Sequence, residues 1–209
     1  KGDDVSLIYK SYDEIHSGNF DKIYLACVFN FTKIPKWVLS LPNITCGGTG
    51  LFEDGGKNLP DYIEHHMPYY DLYLPYVEEQ FKSGKKKGHF DDYLYYSIGF
   101  TTRGCFRKCS FCVNKKYDHA FIHSPVREFL DESKPYIYLW DDNILAYPGW
   151  KNIIKSLEGT GKPFEFRQGI DLRLMTDEIA DTLLHVKYHG DFIFAFDHIE
   201  DKDLSVEKV

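Results

Sequence analysis

The sequence is short of three features that each define a class of protein: a long apolar run, a basic excess and an even set of cysteines. No stretch approaches the roughly 20 consecutive apolar residues that a membrane-spanning helix requires, and no charged segment followed by an apolar one opens the chain. These absences predict a cytoplasmic protein without a membrane partner.

The formal net charge of −7 argues against broad, non-specific binding of nucleic acid, which usually needs a basic domain. Basic residues are concentrated around one short stretch, where Arg103, Arg107, Lys108, Lys115 and Lys116 occur. This patch could attract an anionic cluster, a carboxylate or a phosphate. The other interpretation of each lysine is an ordinary solvated side chain.

The five cysteines do not predict a disulfide scaffold. Three of them lie within eight residues, where a disulfide would be strained and would leave one thiol over. Cys27 lies in an apolar run and is predicted to be a small buried hydrophobic residue. Cys46, which precedes Gly47 and Gly48, is predicted to be a buried cysteine at a strand end rather than a redox residue.

The length of 209 residues, with 43% hydrophobic residues, has room for one large domain or two small ones. We expect a small α/β domain in residues 1–80, an exposed linker at 81–92 and a second domain at 93–209. In the first domain the pattern predicts strands at 5–9 and 22–29, and a third that ends near Cys46. The chain begins with Lys, so we expect an excerpt or a processed product.

The second domain alternates apolar strands with helix-compatible stretches, which predicts parallel β/α units in a sheet or barrel. The predicted strands are residues 96–101, 136–140, 164–168 and 192–196, and the predicted helices are 124–134, 150–157 and 176–187. Thr176, followed by two acids, is predicted to cap the last helix.

A polar cluster follows each of the four predicted strands. The clusters are the segment TTRGCFRKCSFC at 101–112, then Asp141, Asp142 and Asn143, then Gln168 and Asp171, and finally Asp197 and His198. Because the carboxyl ends of parallel strands meet at one edge, we expect these side chains to converge on one rim.

Cys105, Cys109 and Cys112 have C-x3-C-x2-C spacing, so their thiolates can reach one soft metal centre without help from distant parts of the fold. A [4Fe–4S] cluster held by three protein ligands leaves one iron open. That iron is a place where a substrate or cofactor can bind.

The cysteine stretch, with an aromatic residue before its last cysteine and Thr-x-Arg-Gly before its first, resembles the signature of radical S-adenosylmethionine (SAM) enzymes. It is closest in wording to the branch with methylthiotransferases and cobalamin-dependent members, and the likeness covers about residues 93–200. The resemblance implies a partial TIM-type (β/α) barrel and a [4Fe–4S] cluster on Cys105, Cys109 and Cys112. It also implies reductive cleavage of SAM to methionine and a 5′-deoxyadenosyl radical, which abstracts hydrogen from a substrate.

The resemblance also implies roles for residues on the predicted rim. Phe111 would lie near the adenine, Asp141, Asp142 and Asn143 at the SAM amino group, Gln168 and Arg173 at the next loop, and Asp197 at ribose or substrate. The guanidinium of Arg173 suits the SAM carboxylate, although an ordinary salt bridge is the alternative.

The first domain loosely resembles the Rossmann-like domain that precedes the barrel in cobalamin-dependent members, where a Gly-Gly turn and a later Leu-Pro recur like Gly47-Gly48 and Leu59-Pro60 here. It lacks the Asp-x-His-x-x-Gly motif, so we expect a degenerate domain that covers the barrel or substrate and does not bind cobalamin. The family barrel usually has six β/α units, whereas four are predicted here, so we expect a fragment or a wall supplied from elsewhere.

The sequence does not name the substrate, which could be a small molecule, an RNA or a protein; modification of RNA or protein is one option. The resemblance implies a reductant such as flavodoxin or ferredoxin. Two non-catalytic alternatives remain: a zinc module with His119 as the fourth ligand, and an electron-transfer iron–sulfur protein. The spacing fits zinc poorly, and no fourth cysteine lies near the motif.

Overall fold

The computed structural model of the chain describes residues 3–114 and 116–208, so Lys115 of the basic patch lies outside the described residues. The α-helices are α1 (Glu14–Ser17), α2 (Lys36–Leu39), α3 (Asp61–Glu64), α4 (Leu74–Lys82), α5 (Asp91–Tyr95), α6 (Trp150–Glu158), α7 (Asp177–His185) and α8 (Lys202–Lys208). The strands are β1 (Ile23–Ala26), β2 (Ile44–Gly47), β3 (Tyr96–Gly99), β4 (Thr102–Arg103), β5 (Phe121–Ile122), β6 (Tyr136–Leu139) and β7 (Phe164–Phe166).

The first sheet has two parallel strands, β1 and β2, in the register Ile23↔Ile44 to Ala26↔Gly47. The crossover between them carries α2, as a parallel pair requires. Both strands were predicted. The predicted strand at 5–9 is wrong, because these residues form no regular strand and are exposed or half-buried.

The second sheet has three parallel strands in the order β3-β6-β7. Its register runs from Tyr96↔Tyr136 to Gly99↔Leu139, and Leu139 pairs in turn with Phe166. These strands confirm three of the four predicted in the second domain. The fourth, at 192–196, is reduced to one parallel bridge between Ile170 and Phe194, and the described residues form no closed barrel.

The main hydrophobic core lies between the second sheet and its helices. Trp150, Ile153, Ile154 and Leu157 are buried on one face of α6, at the spacing of an amphipathic helix. This confirms the helix predicted at 150–157.

Helix α7 is confirmed together with its cap, since the Thr176 hydroxyl accepts from the Ile179 N–H at 3.3 Å. Its buried face consists of Ile179 and Leu183, whereas Leu184 is 75% exposed. The helix predicted at 124–134 is wrong, because only the 3₁₀ turn Val126–Glu128 forms. The Asp131 side chain ends regular structure there by accepting from the Ser133 N–H at 2.9 Å.

The predicted linker at 81–92 contains the end of α4, a turn at Gly84, the 3₁₀ helix Lys87–Phe90 and the start of α5. The Phe90 side chain is buried there. This stretch therefore packs against the protein.

Within the described residues, no helix has both the length and the apolar character needed to cross a membrane. The structure therefore gives no sign of a helical membrane segment in that part of the chain.

Candidate functional site at the carboxyl ends of the strands

The three motif cysteines lie in a loop that β4 and β5 close as an antiparallel hairpin. The ladder pairs Thr102 with Ile122 and Arg103 with Phe121, so residues 104–114 and 116–120 project from the end of β3. Gly104 begins the loop with φ +87°, and a Cβ there would lie 2.2 Å from the His119 carbonyl oxygen. Only glycine fits this position, which accounts for the glycine directly before Cys105.

Asp141 anchors the start of the cysteine loop to the end of β6. Its carboxylate accepts hydrogen bonds from both the backbone N–H and the hydroxyl of Thr101 and of Thr102, at 2.5 to 3.1 Å. The residue is 4% exposed, and burial raises the pKa of its carboxyl. The hydrogen bonds from the two threonines oppose this rise. We therefore assign Asp141 to holding the loop in place, because the carboxylate that was predicted to meet a ligand is occupied within the protein.

Asp142 and Asn143, the next two residues, also contact the loop. An Asp142 carboxylate oxygen accepts from the Gly104 N–H at 2.6 Å, and the Asn143 amide donates to the Cys105 sulfur at 3.5 Å. The predicted convergence of the loops after β3 and β6 is thus present at the level of individual hydrogen bonds.

All five cysteines lie in the described part of the chain and are thiols, and the three of the motif are half-buried. The Arg107 N–H donates to the Cys105 sulfur at 3.4 Å, and the Asn114 N–H donates to the Cys112 sulfur at 3.3 Å. Such N–H donors stabilise negative charge on sulfur, and they tune the potentials of iron–sulfur clusters.

Asp171, which follows β7, is the hub of an ion-pair network beside the thiols. It receives the Nε–H of Arg107 at 2.8 Å and the Nε–H of Arg173 at 2.6 Å, and the Asn143 amide at 3.3 Å. Burial alone would raise the pKa of Asp171, but the hydrogen bonds from Arg173 and Arg107 outweigh it and hold the pKa below its usual value. The carboxylate is therefore ionised, and it joins the loop after β7 to the other two loops.

The remaining predicted residues differ in how close they come to this network. Arg173 forms the salt bridge that was its alternative role, with Asp171 and also with Asp201 at 3.3 Å. The ring of Phe111 is 62% exposed and lies 6.3 Å from the ring of His198. Gln168 and Asp197 are exposed, and neither takes part in the network.

An iron–sulfur cluster needs its cysteine ligands close together around one centre. Across residues 3–114 and 116–208, no three histidine, cysteine, aspartate or glutamate side chains are grouped so that they could hold a metal ion. The chemistry of Cys105, Cys109 and Cys112 nevertheless fits an iron–sulfur cluster, since they are half-buried thiols and two of their sulfurs receive N–H bonds. The loop would have to draw the thiols together to bind one. His119, the zinc alternative, pairs instead with Asp118 at 2.7 Å.

The sequence placed three residues of the site on the predicted rim without indicating their partners. Thr101 and Thr102 satisfy the buried carboxylate of Asp141, and Arg107 pairs with Asp171. The signal for Arg107 was present, because it is a basic residue inside the cysteine motif. Nothing local indicates the partner of the two threonines, because Asp141 lies about forty residues away in sequence.

Comparison with known proteins finds no match: no family model, no curated protein and no solved structure matches the chain. The interpretation of the site therefore depends on its own residues and on the resemblance of the cysteine motif.

Proposed function

We propose that this chain is an iron–sulfur protein of the radical SAM type, in which Cys105, Cys109 and Cys112 hold a [4Fe–4S] cluster and SAM occupies the open iron. The observation that carries the proposal is the set of hydrogen bonds that links the cysteine loop to Asp142 and Asn143 beyond the next parallel strand. A loop that only needed to be solvated would not require these contacts.

The cluster, when bound, would supply one electron to cleave SAM into methionine and a 5′-deoxyadenosyl radical. The chain's own contribution is charge and position. No hydrogen bond among the described residues reaches Oδ1 of Asp142 or of Asn143, so both oxygens are open to an ammonium group. Arg107 and Arg173 place positive charge beside the thiolates, and Arg173 is close enough to Cys109 for their charges to interact.

Phe111 supplies an exposed aromatic face next to His198, which suits stacking with a purine ring. We also propose that the β3-β6-β7 sheet is one side of a (β/α) barrel. The substrate remains to be found among small molecules, RNA and protein, with flavodoxin or ferredoxin as reductant. Because the thiols and the cluster need a reducing compartment, we propose a cytoplasmic location.

The test is anaerobic reconstitution of the protein with iron and sulfide, reduction with dithionite, addition of SAM and measurement of 5′-deoxyadenosine. We expect the protein to bind about four irons per chain, the content of one such cluster, and to form 5′-deoxyadenosine. Cys109→Ala should lose both the iron and the product, because two thiolates hold a cluster too weakly. Cys46→Ala, a cysteine outside the motif, should keep both.

Full iron content in Cys109→Ala would refute the ligand assignment. Zinc without sulfide in the purified protein would favour the structural metal module. A stable cluster without 5′-deoxyadenosine formation would favour a protein that binds a cluster and performs no SAM chemistry.

A further inference from the structure

A cleft of about 520 Å³ lies between the first sheet and the cysteine loop. One wall is formed by the carboxyl ends of β1 and β2 and by the glycine-rich segment that follows β2; the other includes Arg103, Asn114 and Asp142. The volume is in the range of about 300 to 1,000 Å³ that is typical of small-molecule sites. The carboxyl ends of parallel strands are also the usual place for ligands in α/β folds.

The glycine-rich wall is fixed in shape. Gly48 has φ +99°, and a Cβ there would lie 2.2 Å from the Cys27 carbonyl oxygen, so the backbone can turn away from β1 only at a glycine. The Gly48 N–H donates to the Gly55 carbonyl at 3.0 Å, which folds the segment back on itself. The backbone of this turn therefore fixes the shape of that wall of the cleft.

The charged side chains around the cleft differ in whether they have a partner within the protein. The acids Asp54, Glu64 and Asp142 are in contact with the Gly56 N–H, the His123 ring and the Gly104 N–H, respectively. Arg103 stacks on Phe100, 4.1 Å from the ring centroid, but neither Arg103 nor Lys57 has a carboxylate partner within the described ranges. The three carboxylates keep their charge, so with Lys116, which bonds the Asn58 side-chain oxygen, the cleft is lined by three acids and three cations. Arg103 and Lys57 are the two cations whose charged groups have no hydrogen-bond partner among the described residues, so they are the ones available to an anion.

Asn114 adds an independent sign of a ligand. Its side-chain Nδ2 is buried and has no hydrogen-bond partner among the described residues, and the residue lines the cleft. An unpaired buried donor costs about 1 to 3 kcal/mol, so such groups are normally satisfied. Because Nδ2 is shielded from solvent, the Asn114 side chain would have to turn toward the cleft for an acceptor group there to satisfy it.

We propose that this cleft binds a small organic anion, whose carboxylate or phosphate is received by Arg103, Lys57 and the Asn114 amide. The apolar part of the ligand would lie against the side chains of Tyr24 and Leu59, which also line the cleft. Since Val113 and Asn114 directly follow Cys112, the ligand would be held beside the cysteine loop. Its role as the substrate of the radical depends on the proposed function, whereas the binding itself does not.

The test is a ligand titration followed by NMR, with phenyl phosphate and benzoate as anionic probes and benzyl alcohol as the uncharged control. We expect at least one anion to bind about tenfold or more tightly than the alcohol. Arg103→Gln should weaken the binding of that anion by about tenfold. Lys85→Gln, an exposed lysine in the turn after α4, should leave it unchanged.

A second variant tests the cleft without touching its charges. A Cβ at Gly47 would meet only the Gly55 carbonyl oxygen, at 3.9 Å, so Gly47→Leu fits the backbone and extends a side chain at the wall of the cleft. It should reduce binding of the anion and leave the circular dichroism spectrum unchanged.

Preference for phenyl phosphate or for benzoate would support the proposal and identify the headgroup. Equal binding of the alcohol, no binding of either anion, or unchanged affinity in Arg103→Gln and Gly47→Leu together would overturn it. Repeating the titration with Cys109→Ala separates the two proposals: binding that persists there supports the cleft even if the cluster assignment fails.

Discussion

The two regions on either side of the 81–92 stretch differ sharply in how much apolar surface they bury. Among residues 3–80 the buried apolar side chains are Cys27, Val38 and Val77. Beyond residue 93, buried side chains from β6, α6, β7 and α7 form one continuous core. The first region also leaves large aromatic side chains exposed, such as Phe29, Phe31 and Tyr62.

This difference indicates that the first region depends on the second. A sheet of two strands is at best marginally stable by itself in water. Polar contacts join the regions at three places: Tyr70 with the edge of β3, His65 with Glu128, and Glu64 with His123. The rings of Tyr73 and Tyr76 also contact the ring of Tyr93. The motif thiols belong to the second region, which has the large core, whereas the cleft lies where the two regions meet. Loss of the first region should therefore affect the cleft more than the thiols.

The largest effect is expected when core volume is removed from the second region. Leu157→Ala should lower the free energy of unfolding by about 3 kcal/mol, because Leu157 is completely buried and leaves a cavity. Urea denaturation followed by tryptophan fluorescence measures this change, with Trp140 and Trp150 in the second region and Trp37 in the first. We expect the first region to unfold in the same transition.

Leu184→Ala is the matched control, because this leucine of α7 is exposed and should change the free energy of unfolding by less than about 0.5 kcal/mol. Equal effects of the two substitutions would contradict the placement of the core. If amide exchange of β1 and β2 stayed slow after β6 had unfolded, the first region would be independent.

The sequence predicted those parts of the fold that depend on local pattern. Strands β3, β6 and β7, helix α6 and the Thr176 cap follow from apolar periodicity and capping, which need only neighbouring residues. Local pattern could not show whether residues 192–196 form a paired strand, because pairing depends on a partner that is distant in sequence.

The candidate site divides in the same way. The spacing of the cysteines and the position of Asp142 and Asn143 were readable from the sequence, since each follows a strand. The role of Asp141 was not, because adjacent acids look equivalent until burial turns one carboxylate toward Thr101 and Thr102. The cleft was also missed, because it needs the packing of the first region on the second.

Removing the Tyr70 hydroxyl should have the second-largest effect, since it weakens the attachment of the first region. The Tyr70 hydroxyl donates to the Phe129 carbonyl at 2.7 Å and accepts from the Ile98 N–H at 2.9 Å. The second bond covers a backbone donor on the edge strand β3. Tyr70→Phe should cost about 2 kcal/mol, measured by urea denaturation, because it leaves both groups without their partner.

The same tyrosine predicts a pH dependence. Burial raises the pKa of Tyr70 to about 12, although its hydrogen bond with Ile98 opposes the shift. The folded chain therefore retains a proton that the unfolded chain loses near 10.0. The contribution of Tyr70 to stability should be complete below pH 10.0 and decline as the pH rises toward about 12. The stability difference between wild type and Tyr70→Phe should shrink over that interval; a constant difference would contradict the burial of the hydroxyl.

The smallest expected effect concerns the 2.8 Å pair between His65, which directly follows α3, and Glu128 of the second region. Glu128→Gln removes the charge but keeps an oxygen acceptor, so it should cost only about 0.5 kcal/mol, as is usual for a partly exposed pair. We expect faster amide exchange at residues 61–66 and no change in α6. Glu178→Gln, which removes the charge from an exposed pair with Lys151 inside the second region, should leave exchange at 61–66 unaltered. If both variants changed amide exchange at 61–66 alike, the His65–Glu128 pair would not specifically stabilise this segment. The attachment of the first region would then depend on Tyr70 and on apolar contacts.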